Sequence, residues 1–158
     1  MKFTRKEFFV KSAQGVVILS LPTIFSSFLE SCNSQTTSPN GSSSPLNTIQ
    51  GIVSNGTVMV TISSSSALAK VGSAGMITYS SGSILIDHPS ANVYNAFTSI
   101  CPHQGCTINN FDAGSNQFVC PCHGSRFDIN GKVVQGPAPS SLQQYPTQFL
   151  NNQLIITL

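Results

Sequence analysis

Two short stretches constrain this chain more than any others: CPHQGC, Cys101 to Cys106, and CPCHGS, Cys120 to Ser125. Between them they gather four cysteines and two histidines into one short region. A single tetrahedral zinc would leave two of these groups over, and the C-x2-4-C and H-x3-5-H spacings of zinc modules are missing. Covalent haem attachment needs C-x-x-C-H, whereas Pro121 alone separates Cys120 from Cys122. Thioredoxin-like chemistry fails for the same spacing reason. A cysteine nucleophile with a histidine base lacks an evident third group to orient it.

The flanks read as strands and turns. Charged residues make up only 8% of the chain and tryptophan is absent. From Ile49 onward, short apolar or alternating runs are punctuated by Asn, Gly, Ser and Pro. IQGIV and TVMVTI flank Asn55-Gly56, a strong hairpin signal, and MITYS and SILIDHP flank a glycine turn at Gly82. NVYNAFTSI reads as a further strand, and TQFL and QLIITL face each other across Asn151-Asn152. The expected fold is all-β, an antiparallel β-sandwich over residues 49–158. A small site-bearing lobe is inserted at about 100–139, with the two loops flanking one strand, NQFVC.

Taken together, C-x-H-x2-C and C-x-C-H-x-S resemble the two cluster-binding loops of Rieske iron-sulfur proteins, in the high-potential, disulfide-containing branch. The resemblance implies a Rieske-type 2Fe-2S cluster with Cys101 and Cys120 on one iron and His103 and His123 on the other. It implies a Cys106–Cys122 disulfide tying the loops together. Ser125 matches the serine that donates a hydrogen bond to a cluster sulfur, and Gly136, Pro137, Ala138 and Pro139 match the proline-rich loop that shields the cluster. Phe127 stands where high-potential members commonly carry a tyrosine. One hydrogen bond is therefore missing, and the expected potential is lower than in ubiquinol-oxidising relatives, suiting a menaquinol pool.

On the same resemblance, His123 is the histidine that meets quinol. The implied role is one-electron transfer as the iron-sulfur subunit of a membrane quinol:cytochrome oxidoreductase, with b-type and c-type cytochromes as redox partners. Such a chain is an electron-transfer subunit and not a complete enzyme. The alternative is a stand-alone exported Rieske carrier, or the small subunit of another oxidoreductase of the arsenite-oxidase kind. The extra cysteine pair separates both from the ferredoxin components of ring-hydroxylating oxygenases.

Four of the seven basic residues lie in the first eleven positions, ahead of an apolar run from Gly15 to Leu29. Residues 1–32 therefore read as an export signal of twin-arginine type, with Lys6 in place of the second arginine. LESC, Leu29 to Cys32, resembles a lipobox, which makes Cys32 a lipidation site. The competing reading keeps the run as an uncleaved anchor, although its 15 residues fall short of the roughly 20 needed to span a bilayer. Residues 33–48, rich in Ser, Thr, Asn and Pro, read as a flexible tether with a reach of about 20 Å. Either anchor puts the folded head at a bacterial cytoplasmic membrane, on its periplasmic or outer face.

The remaining body sets Lys70, Arg126 and Lys132 against Asp87, Asp112 and Asp128. That balance excludes a phosphate-binding footprint and, with it, nucleic acid as a partner. His88 is expected at the surface of a strand end, Arg126 and Asp128 as solvated loop charges, and Phe97, Phe111 and Phe118 in the core.

Overall fold

The computed structural model describes residues 42–158, and among them the chain forms strands and turns with no helix. The segment 1–32, Cys32 and the first part of the Ser-rich stretch lie outside the described residues. In chain order come β1 (Ser44–Pro45), β2 (Thr48–Gln50), β3 (Ile52–Ser54) and β4 (Thr57–Thr61). A meander follows of β5 (Ser73–Tyr79), β6 (Gly82–Ser90) and β7 (Val93–Thr98). Then come β8 (Asn110–Asp112), β9 (Gln117–Val119), β10 (Arg126–Asp128) and β11 (Val133–Gln135), before β12 (Gln144–Tyr145), β13 (Thr147–Leu150) and β14 (Gln153–Thr157).

These strands make three sheets, ordered β12-β7-β6-β5-β2, β13-β14-β4-β3 and β1-β8-β9-β10-β11. Asn55-Gly56 and Asn151-Asn152 close the β3–β4 and β13–β14 hairpins as expected. All four residues take positive φ, as a two-residue turn matched to the strand twist requires. The third hairpin differs in detail: Tyr79 pairs with Gly82, so the turn is Ser80-Ser81 and Gly82 opens β6.

IQGIV is not one strand. Its first part, β2, pairs parallel to β5, and its last part, β3, pairs antiparallel with β4 in another sheet. Gly51 is the crossing point. Its N–H donates to the Thr78 carbonyl at 2.8 Å, and a Cβ there would come within 2.6 Å of Val58 and 2.8 Å of Ile77. Only glycine lets the backbone pass between the sheets so closely. Among the described residues, β1 and β2 lie within 44–50, on and before the expected boundary at 49.

The β7–β6–β5 sheet is covered on both faces. Ile84, Ile86 and Ala96 face Val58, Val60, Leu154 and Ile156 of the β4–β14 sheet, which forms the sandwich core. Alternate residues Leu85 and Phe97 face Ile108, Phe111, Phe118 and Phe127 of the lobe. Phe97, Phe111 and Phe118 are buried as expected. Burying each such side chain contributes roughly 1.5–3 kcal/mol, so the lobe is held by its own apolar core and not by the loops alone.

The lobe holds more strand than the single NQFVC run expected from sequence. β8, β9, β10 and β11 form a continuous antiparallel ribbon that β1 joins at its edge. Arg126 is therefore not a solvated loop charge: it lies in β10 and donates from Nη1 to Asp112 Oδ2 at 2.9 Å and to Gln117 Oε1 at 3.3 Å. The Arg126 guanidinium, helped by the turn around Ser115, holds the Asp112 carboxyl below the usual carboxylate range. Asp128 also lies in β10, where its Oδ1 accepts from the N–H groups of Asn130 and Lys132 at 2.9 Å. His88 likewise is buried. The 63–72 connection folds over it, its Nδ1–H donates to the Leu68 carbonyl at 2.9 Å, and its ring stacks on Tyr94 at 4.2 Å.

Asp87, one residue before His88, is 2% exposed and lies on the Leu85 side of β6. Its carboxylate has Asn95 Nδ2 at 3.5 Å as side-chain partner, and burial pushes its pKa up to about 6. A carboxyl with a raised folded-state value stabilises the fold fully below about pH 4 and loses that contribution as pH rises through about 6. Asp87→Asn is expected to raise stability at pH 8 by on the order of 2 kcal/mol and to change little at pH 4. Thermal melts of both chains across that range check it.

Candidate metal centre

The two cysteine-bearing loops leave the ends of strands. The first follows β7 through Ile100, whose isolated bridge to Thr107 closes its base, and the second joins β9 to β10. Their backbones are built alike. Cys101 N–H donates to the Cys106 carbonyl at 2.8 Å and Gly105 N–H to the Cys101 carbonyl at 2.9 Å. In the second loop Cys120 N–H donates to the Ser125 carbonyl at 2.9 Å and Gly124 N–H to the Cys120 carbonyl at 3.0 Å. Each loop turns on a glycine with positive φ, +73° at Gly105 and +74° at Gly124, which L side chains rarely adopt.

Because the backbones match, differences in side chain decide what each position does. The first position of each loop, Cys101 and Cys120, is a free thiol sunk into the lobe core, 2% and 1% exposed. The histidines lie further out: His103 is half-buried and His123 exposed. Their rings meet edge to face with centroids 4.8 Å apart. The loops are joined covalently by the Cys106–Cys122 disulfide, with Cα atoms 6.5 Å apart. The bond removes those two sulfurs from the set of anionic ligands. The expected pairing of Cys106 with Cys122 is therefore present.

This donor set fits a bound metal cluster. His103 Nδ1 is buried and has no hydrogen-bond partner among the described residues. An orphaned buried polar atom of this kind is costly unless something satisfies it. Burial pushes the Cys120 thiol up, and the neighbouring Cys101 sulfur adds to the effect. Two buried sulfurs side by side resist ionising together unless positive charge compensates them, which an iron centre would supply.

Around the loops, Ser125 is fully buried and its Oγ accepts the Ala138 N–H at 3.0 Å. That bond uses an acceptor site and leaves the hydroxyl proton free to donate. Ala138 packs into the lobe core, while Gly136, Pro137 and Pro139 are exposed on the same loop. Gln135 Nε2 reaches the Gly124 carbonyl at 3.4 Å. Phe127 is fully buried in the lobe core and presents no polar atom to its surroundings. The sequence reading missed the β10–β11 hairpin behind these contacts, although the Asn130-Gly131 pair at its turn is the same signal that located β3–β4.

Comparison with known proteins bears on the same residues. The family model described as "Rieske [2Fe-2S] domain" matches residues 59–146. The cytochrome b6-f complex iron-sulfur subunit of Prochlorococcus marinus (strain AS9601) is 61% identical over 44 residues, 28% of this chain and 24% of the relative. The subunit of the same name from Synechococcus sp. (strain RCC307) is 39% identical over 74 residues, 47% of this chain and 41% of the relative. The chain thus spans less than half the length of the curated relatives it matches. Among solved structures, the apo quaternary ammonium Rieske monooxygenase CntA aligns with a TM-score of 0.51 at 20% identity, over 63% of this chain and 32% of that one. The cyanobacterial plasma membrane Rieske protein PetC3 from Synechocystis PCC 6803 aligns at 28% identity with a TM-score of 0.44, over 65% of this chain and 87% of that one.

The disulfide closes a loop of sequence separation 16 between Cys106 and Cys122. Replacing both residues by serine is expected to lower stability by about 3 kcal/mol through restored unfolded-chain entropy. Denaturant unfolding of the cluster-free double variant against the parent checks it.

Proposed function

The chain belongs to the Rieske [2Fe-2S] domain family, and we propose that it is the iron-sulfur subunit of a membrane quinol:cytochrome oxidoreductase. The observation that carries this reading is the pair of matching loops, each offering one buried free thiol and one outward imidazole, tied by a disulfide. The names of the matched relatives, subunits of cytochrome b6-f complexes, support the same assignment.

Cys101 and Cys120 would hold the cluster from inside the lobe, and His103 and His123 would hold it from the outer side. Such a cluster, when bound, accepts and returns one electron, and its imidazole ligands raise its potential above that of all-cysteine clusters. His103 would bind through Nδ1, which leaves Nε2 facing outward. His123, the exposed imidazole, would present its outer nitrogen to the hydroxyl hydrogen of a quinol and take the proton that accompanies the electron.

Ser125, whose Oγ accepts from Ala138 N–H, would have its hydroxyl proton free to donate to a cluster sulfur. The 136–139 loop, anchored by Ala138, keeps water from the buried side. The partners would be b-type and c-type cytochromes, and the head would work at the outer face of a bacterial cytoplasmic membrane, held there by a lipid on Cys32 or by an uncleaved anchor. Purification of the full chain from solubilised membranes tests this. Red-brown protein with a rhombic electron-resonance signal on reduction, accompanied by haem b and haem c, is the expected result. Colourless protein would remove the cluster assignment, and a coloured chain without cytochromes would remove the complex.

Phe127 offers no hydroxyl where a donor would raise the potential, which suits a menaquinol pool. Phe127→Tyr is expected to raise the midpoint potential measured by protein-film voltammetry. An unchanged or lower value would contradict this role for the position.

A further inference from the structure

The Sγ atoms of Cys106, Cys120 and Cys122 all lie within 4.8 Å of one another. Two of them are bonded together and the third is a free, buried thiol. A free thiol held against a disulfide is the starting arrangement for thiol–disulfide exchange. We infer that when Cys120 carries no metal it attacks the Cys106–Cys122 bond, producing a Cys106–Cys120 disulfide and a free Cys122. The inference rests on the proposed role of Cys120 as a cluster ligand, since metal binding is what withholds its sulfur from the exchange.

The step balances without an added oxidant or reductant. Cys120 loses its proton to water, a step its burial makes slow, and its thiolate electron pair forms the new bond to Cys106 Sγ. The Cys106–Cys122 bond breaks, and Cys122 leaves with that electron pair and takes up a proton from water. One disulfide and two thiols are present before and after.

Burial selects which sulfur is attacked. Attack at Cys106 releases Cys122, an exposed residue whose departing thiolate is solvated at once. Attack at Cys122 would release the half-buried Cys106 and would bridge two residues separated by Pro121 alone. The favoured product removes Cys120 from the proposed ligand set. A chain that has lost its cluster therefore locks itself against reloading until a reductant reopens the new bond.

The test starts from full-length protein with its iron content and absorption recorded. The cluster is removed with a chelator, anaerobically and without thiol reagents, and samples are alkylated over several hours. Cleavage before Asp112 separates Cys101 and Cys106 from Cys120 and Cys122, and fragmentation mass spectrometry places each label. Time-dependent labelling of Cys122 with a Cys106–Cys120 cross-link, absent before chelation, is expected; so is a parallel loss of cluster reconstitution that reductant restores. Labels confined to Cys101 and Cys120, with Cys106–Cys122 intact throughout, would overturn the inference. Cys101→Ser, prepared cluster-free, should still re-pair, and Cys120→Ser should keep the original bond. Free Cys122 in the Cys120→Ser chain would equally overturn it. Absence of iron from the starting protein would count against the proposed function alone, because the sulfur map of the cluster-free chain reads the exchange in either case.

Discussion

Strands β6 and β7 have to satisfy two apolar cores at once, and the rest of the molecule is arranged around that demand. Residues 84–88 are buried one after another, where an ordinary half-exposed strand would alternate. Ile84 and Ile86 hold the sandwich from one side while Leu85 holds the lobe from the other. The first loop begins just past the end of β7, and Phe97, near that end, sits in the lobe core. The first cysteine-bearing loop thus inherits its position from a strand that is clamped on both faces.

Much of this was legible in the residues, for identifiable reasons. Asn55-Gly56 and Asn151-Asn152 are local devices: their preferred dihedrals are those of the turn, whatever lies elsewhere. The loops were legible because few chemistries use C-x-H-x2-C beside C-x-C-H-x-S. What escaped depends on distant partners. β8, β10 and β11 have three residues each, too few for alternation to register. The parallel β2–β5 pairing and the role of Gly51 arise from sheets that meet only in the folded chain. His88 and Arg126 look like surface residues until the 63–72 connection and the β8–β9 turn close around them.

The two loops use one backbone design for two purposes. Matching hydrogen bonds and a left-handed glycine bring a cysteine sulfur inward at the first position of each. The third position is His103 in one loop and Cys122 in the other; the sixth is Cys106 in one and Ser125 in the other. Shifting the second histidine along by one residue therefore vacates a place for half of the disulfide. The sixth position of that loop is left to a hydroxyl that links it to Ala138. Closing groups, donor groups and linking groups can be distributed this way only because the main chain does not change between the loops.

The pairing of Arg126 with Asp112 and the burial of Asp87 have an effect that reaches beyond the fold. Among the described residues they leave Lys70, Asp128 and Lys132 as the remaining charged side chains, and Asp128 is folded back onto the N–H groups of its own turn. The described residues, so nearly neutral, cast little long-range field of their own. Encounters with a partner are then governed by ordinary diffusion and the fit of contact surfaces, and their rate should scarcely respond to ionic strength. Whatever these residues meet has to be brought to them by diffusion or by proximity, because electrostatic attraction from this part of the chain will not gather it from a distance.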